Sequence, residues 1–147
     1  MDTPKLLRSL NEHSARFVVI GATAFPIHGY ARATLDVDIF IDPTRENAER
    51  VLAALRDFGY DVTDLSLDDL LSKKVLIRQY VLQTDIHPFV KGVSFEQVWK
   101  GRVAGDIGGA PAFFAGLDDL IRMKRAADRP KDREDLRVLE ALKEKTR

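Results

Sequence analysis

Two aspartates separated by a single valine, Asp36-Val37-Asp38, interrupt a run from Arg32 to Ile41 (RATLDVDIFI) that otherwise reads as a buried β-strand. Strand side chains alternate between faces, so Asp36 and Asp38 share one face while Val37 and Ile39 take the other. The two carboxylates therefore converge. Like charges at that spacing repel unless a cation, a proton or an arginine lies between them, and an aspartate desolvated without a partner costs on the order of a few kcal/mol. Two arrangements meet this demand. Either the strand is a half-exposed edge whose aspartates are solvated or satisfied by Arg32, or the pair holds a metal ion.

Composition narrows the chemistry. The chain has no cysteine, which excludes disulfides, zinc-thiolate centres and thiol nucleophiles and leaves oxygen or histidine ligation for any metal. Twenty-three basic residues balance twenty-three acidic ones, so no global positive field draws in nucleic acid and any such contact must be local. At 147 residues and 45% apolar content, the length suits one domain spanning residues 1–147 with a real core. No apolar run approaches membrane-spanning length and the N-terminus lacks a leader pattern, so a cytoplasmic protein with no membrane contact is expected.

Along the chain, Lys5 to Asn11 predicts a short amphipathic helix, and Arg16 to Gly21 a β-run stopped by glycine. Residues Ala22 to Gly29 are helix-compatible, with Pro26 tolerable only in a first turn. After the aspartate strand, Pro43-Thr44 starts a helix whose stripe is Ala48, Val51, Leu52, Leu55 and Phe58, ended by Gly59. A helical turn is expected at Asp68 to Leu71, then β-structure over Val75 to Leu82 and Thr84 to His87 as a hairpin or bent strand. Ser94 to Trp99 reads as a capped helical turn, Gly105 to Phe114 as one or two short strands, and Gly116 to Arg125 and Asp132 to Lys145 as helices. This order predicts an α/β (α+β) domain on one small, mixed, twisted sheet, covered on one side, with a helical C-terminal segment.

Three segments, VVIGATAFPIHGYARATLDVDIFI, VLQTDIHPF and LDDLIRMKRAADRPKDREDL, together resemble the minimal nucleotidyltransferases of the polymerase-β-like superfamily, above all bacterial toxin-type and small uncharacterised members. In those proteins a strand ending in Gly-Gly or Gly-Ser leads to a short helix, the next strand carries the paired aspartates, and a later strand supplies a third carboxylate. The resemblance spans nearly the whole chain. It implies Mg2+, or Mn2+ in its place, as cofactor and a nucleoside triphosphate as substrate. The implied acceptor is an RNA such as a tRNA end, a protein or a small molecule, and toxin-type membership implies a cognate antitoxin. A fold that has lost turnover and serves as a binding or regulatory module is the alternative.

Carried onto this chain, the resemblance makes Asp36, Asp38 and Asp85 both metal ligands and catalytic residues, with Asp85 completing a second ion site that activates the acceptor hydroxyl. The alternative reading of Asp85 is an ordinary strand-end carboxylate beside His87. Gly21 would bring backbone N–H groups to phosphate oxygens at a helix N-terminus. Ala22 departs from the family's Gly or Ser, which leaves Thr23 to offer a hydroxyl. Lys124, Arg129 and Lys131 would supply positive charge to the triphosphate or form a solvated basic face. Asp132 would lie near the nucleotide or cap the last helix, and Arg32 would touch phosphate or pin the aspartate loop. His28 and His87 read as structural, and Trp99 with Phe95 as packing against the sheet.

Overall fold

The structure, a computed structural model, describes residues 2–146. Its six strands form one mixed sheet in the order β3-β4-β2-β1-β6-β5, where β1 is Phe17–Ile20, β2 Asp36–Ile41, β3 Val75–Ile77, β4 Gln83–His87, β5 Val103–Ile107 and β6 Ala110–Phe114. The helices are α1 (Thr3–Glu12), α2 (Arg45–Phe58), α3 (Leu67–Ser72), α4 (Phe95–Lys100), α5 (Leu117–Ala127) and α6 (Arg133–Lys145).

Local chemistry sets the helix ends. Asp2 accepts the Lys5 N–H at 2.9 Å to start α1, and Pro4 sits in the first turn, where no N–H is needed. Thr44 accepts the Asn47 N–H to start α2, and Gly59, in the left-handed region at φ 115°, ends it. The helix buries Ala48, Val51, Leu55 and Phe58, four of the five positions in the anticipated stripe, and Leu52 packs partly buried against the same core. A buried hydrogen bond of 2.7 Å from Ser9 Oγ to the Ala54 carbonyl ties α1 to α2.

Strand β1 lies between β2, antiparallel to it, and β6, parallel to it. All four β1 residues are buried. Because successive residues face opposite ways, the sheet is covered on both faces at its centre, which corrects the expectation of one-sided packing. Strand β4 runs parallel to β2, placing Gln83 beside Asp36, Asp85 beside Asp38 and His87 beside Phe40. A parallel pair needs a long crossover, and α2 with α3 supplies it.

Two further boundaries differ from the expectation, each for a local reason. The Ala22–Gly29 segment is not one helix but two 3₁₀ turns, Gly21–Ala24 and Pro26–His28. Pro26 has no N–H to donate, and Gly21 starts the segment at φ 67°. The β-run from Val75 stops at Ile77, because residues 78–82 turn to dock on the end of α2. Gln79 exchanges hydrogen bonds with the Asp61 main chain at 2.7 Å each, and Tyr80 donates to the Gly59 carbonyl. Among the described residues no helix is long and apolar enough to cross a membrane.

Candidate active site

On β2, Val37 and Ile39 are buried in the core while Asp36 and Asp38 are only partly covered, so the alternation puts both carboxylates on the same open face. Register then brings a third. Asp85 is the direct neighbour of Asp38 on parallel β4 and shares its face. All three border a cleft of about 590 Å³ whose opposite wall comes from α5, α6 and the turn between them, with Lys124, Arg129, Lys131, Asp132 and Asp135 facing in.

The turn after β1 is fitted to this face. A Cβ on Gly21 would lie 2.8 Å from Asp38 Oδ2, and its backbone has φ 67°, so this position excludes a side chain twice over. The main chain of Asp36 is clamped from two directions. Thr23 Oγ1 donates to its carbonyl at 2.8 Å, and its N–H donates to Thr34 Oγ1 at 3.0 Å. The Thr23 proton is therefore used to hold the strand, not offered to a phosphate. Ala22 lines the cleft without a polar side-chain atom. The Gly21 turn is a four-residue 3₁₀ segment and not the start of a longer helix.

Across the cleft, two buried aspartates organise the cations. Asp132 receives Arg129 through both oxygens, Nε to Oδ2 at 2.6 Å and Nη2 to Oδ1 at 3.1 Å, and Lys124 Nζ at 2.9 Å. Burial alone would raise its pKa. The hydrogen bonds from Arg129 and Lys124 outweigh that effect and hold the carboxyl below the usual range. Asp132 directly precedes α6, yet its side chain makes no capping hydrogen bond, because it is turned to these cations. Asp135, one helical turn on, accepts from Tyr30 at 2.9 Å, pairs with Arg32 and lies 3.5 Å from Lys124. Arg32 is thus tied to α6 and not to the aspartate pair. The hydrogen bond to Asp135 also raises the Tyr30 pKa, with burial adding to it. Lys131 is exposed, and among the described residues no carboxylate pairs with it.

Sequence reasoning passes over four residues of this cleft or its border. His87 is not an isolated structural histidine: its Nε2 lies 2.8 Å from Asp38 Oδ1. Two residues after Asp85 on the same strand, it shares that face by period-two alternation, which is the signal that could have found it. Asp135 follows Asp132 at the three-residue spacing that stacks side chains on a helix. Arg78, hydrogen-bonded to Asp85 Oδ1 at 2.7 Å, and Tyr30 carry no comparable pattern. His28 and Trp99 are indeed packing residues. His28 bonds the Ala115 carbonyl at 2.8 Å, and Trp99 stacks on Phe95 between Arg16 and Arg102.

The donor chemistry suits a hard cation at Asp36 and Asp38. Among the described residues no hydrogen bond or ion pair engages the Asp36 carboxylate, and Asp38 uses only Oδ1, toward His87. Asp85 is different. Its two oxygens face Arg78 and, at 3.9 Å, Lys74. Consistently, among the described residues no three Asp, Glu or His side chains draw together as a metal centre. A family model described as a nucleotidyltransferase of unknown function (DUF6036) matches residues 2–144. No curated relative matches the chain.

Proposed function

Since the chain belongs to this family of nucleotidyltransferases over nearly its whole length, we propose that its cleft moves a nucleoside monophosphate from a nucleoside triphosphate to an acceptor hydroxyl. The observation that carries this reading is the facing of Asp36, Asp38 and Asp85, on neighbouring strands, against the Lys124, Arg129 and Lys131 wall. Carboxylates on one side and cations on the other suit a ligand that carries both a metal ion and a triphosphate.

Asp36 and Asp38 would hold Mg2+, or Mn2+ in its place, and the ion would supply positive charge to screen the triphosphate and the leaving pyrophosphate. Lys124, kept in place by Asp132 and Asp135, reaches the phosphates from α5, with Arg129 and Lys131 on the following turn. The acceptor oxygen bonds to the α-phosphorus as the bridge to the β-phosphate breaks. Pyrophosphate departs, and the hydroxyl proton passes to Asp85. Such transition states are loose, so positioning matters more than the strength of the base.

A second reading, a binding module with little turnover, is favoured by the turn after β1, where Ala22 has no hydroxyl and Thr23 spends its proton on Asp36. One experiment separates the two. The protein is incubated with each α-labelled nucleoside triphosphate, Mg2+ and cell extract, and label is sought in RNA, protein and small molecules. Transfer into one class supports the enzyme and names its acceptor. Nucleotide binding without transfer supports the module. Co-purification of a neutralising protein with the tagged chain would add the paired toxin–antitoxin role.

A further inference from the structure

The three cleft aspartates are not equivalent. Asp36 is unengaged and Asp38 half engaged, whereas Asp85 accepts a hydrogen bond from Arg78 Nη1 through Oδ1 at 2.7 Å and has the Lys74 ammonium 3.9 Å from Oδ2. Arg78 is anchored as well, because Nη1 also donates to the Ile77 carbonyl at 3.2 Å, at the point where β3 ends and the chain turns away. Its pKa is raised, first by the hydrogen bond to Asp85 and, against the effect of burial, also by the charges of Asp85, Asp36 and Asp38. One guanidinium thus lies in the field of all three carboxylates.

We propose that the cleft takes a single divalent cation, on Asp36 and Asp38, and that Arg78 fills the electrostatic role of a second, acting as a positioning residue that holds Asp85 toward β3. This rests on the nucleotidyl-transfer reading. Arg78 and Lys74 already bring two positive charges to Asp85, so a further dication would enter against both. The chain thereby departs from the two-ion arrangement that the third carboxylate suggested, because the third carboxylate already has its cations.

The test counts ions and needs neither the base nor the acceptor to be known. Protein saturated with inorganic triphosphate is titrated with Mn2+ in equilibrium dialysis, and ions retained per chain are measured against triphosphate alone. The wild type is expected to hold one ion, and Arg78→Lys also one. Arg78→Ala should admit a second, and adding Lys74→Ala should tighten that second site about tenfold. Adding Asp85→Ala to Arg78→Ala should remove it. Arg78 and Lys74 are substantially exposed, so these variants keep the core, and thermal melting checks that they do. Two ions on the wild type, or one ion on both Arg78→Ala and the Arg78→Ala/Lys74→Ala double variant, would overturn the inference while leaving nucleotidyl transfer standing. No retained ion at all would overturn both.

Discussion

Gly21 and Asp38 are in such close contact that a methyl group on the glycine would lie 2.8 Å from the aspartate's Oδ2. The contact links backbone conformation to the cleft, since the left-handed turn at Gly21 is what lets β1 pass beside the carboxylate it flanks. Gly21→Ala is therefore expected to lose roughly 1–2 kcal/mol through the positive φ alone, and to displace Asp38 as well. Chemical denaturation reads the first effect. Loss of Mg2+-dependent triphosphate binding reads the second, and unchanged binding would show that the close fit is incidental.

Asp36 tests the proposed metal site more cleanly than Asp38, because no side-chain hydrogen bond or ion pair is lost with it among the described residues. Asp36→Ala should unfold at the wild-type temperature or slightly above it, since it relieves like-charge repulsion. Its Mg2+-supported triphosphate affinity should fall by at least tenfold in a binding titration. Equal affinity in mutant and wild type would remove Asp36 from the ligand set.

Lys124 is not a lysine on a solvated helix face, and the proposed transfer gives it a second role at the phosphates. It is largely buried, reaches both Asp132 and Asp135, and lies 5.6 Å from the Phe25 ring centre. Lys124→Ala should lower stability by about 1–3 kcal/mol by leaving buried carboxylates short of a partner, and should reduce turnover on the order of 10²-fold. Lys124→Met, which keeps the packing, separates the two roles. A Lys124→Met variant with full turnover would return the lysine to a purely structural one.

Asp132 gives a pH signature. Its carboxyl is held below the usual range, so it binds fewer protons folded than unfolded. The stability it contributes is complete above the ordinary aspartate pKa of about 4 and is lost as pH falls through the lower folded value. Asp132→Asn should therefore be less stable than wild type at pH 7, with the gap shrinking in denaturation curves taken from about pH 4 downward. A gap that stays constant with pH would mean the pairing with Arg129 and Lys124 contributes little.

What the sequence made legible follows from periodicity. Alternation on β2 put Asp36 and Asp38 together, and the stripe ending at Gly59 marked α2. The order of strand, glycine, aspartate pair and late basic helix carried the family resemblance. The partners of those residues were not legible. Nothing in Arg78 announces that its guanidinium reaches seven residues ahead to Asp85, nor in Arg32 that it reaches 103 residues ahead to Asp135. Ion pairs of this kind depend on where loops dock, and here Gln79, Tyr80 and the left-handed Asp128 decide that. Thr23 shows the same limit, because a free hydroxyl and one already donating to a strand carbonyl look identical in sequence.

Proposed transfer of a nucleoside monophosphate at the aspartate face can be followed with label at the α- and γ-positions of the same nucleoside triphosphate in parallel Mg2+-containing reactions, with wild type and Asp36→Ala. The α-label is expected to enter an acceptor while γ-label leaves as pyrophosphate, and Asp36→Ala is expected to do neither. Transfer of γ-label to the acceptor, or α-transfer undiminished in Asp36→Ala, would contradict transfer at that face.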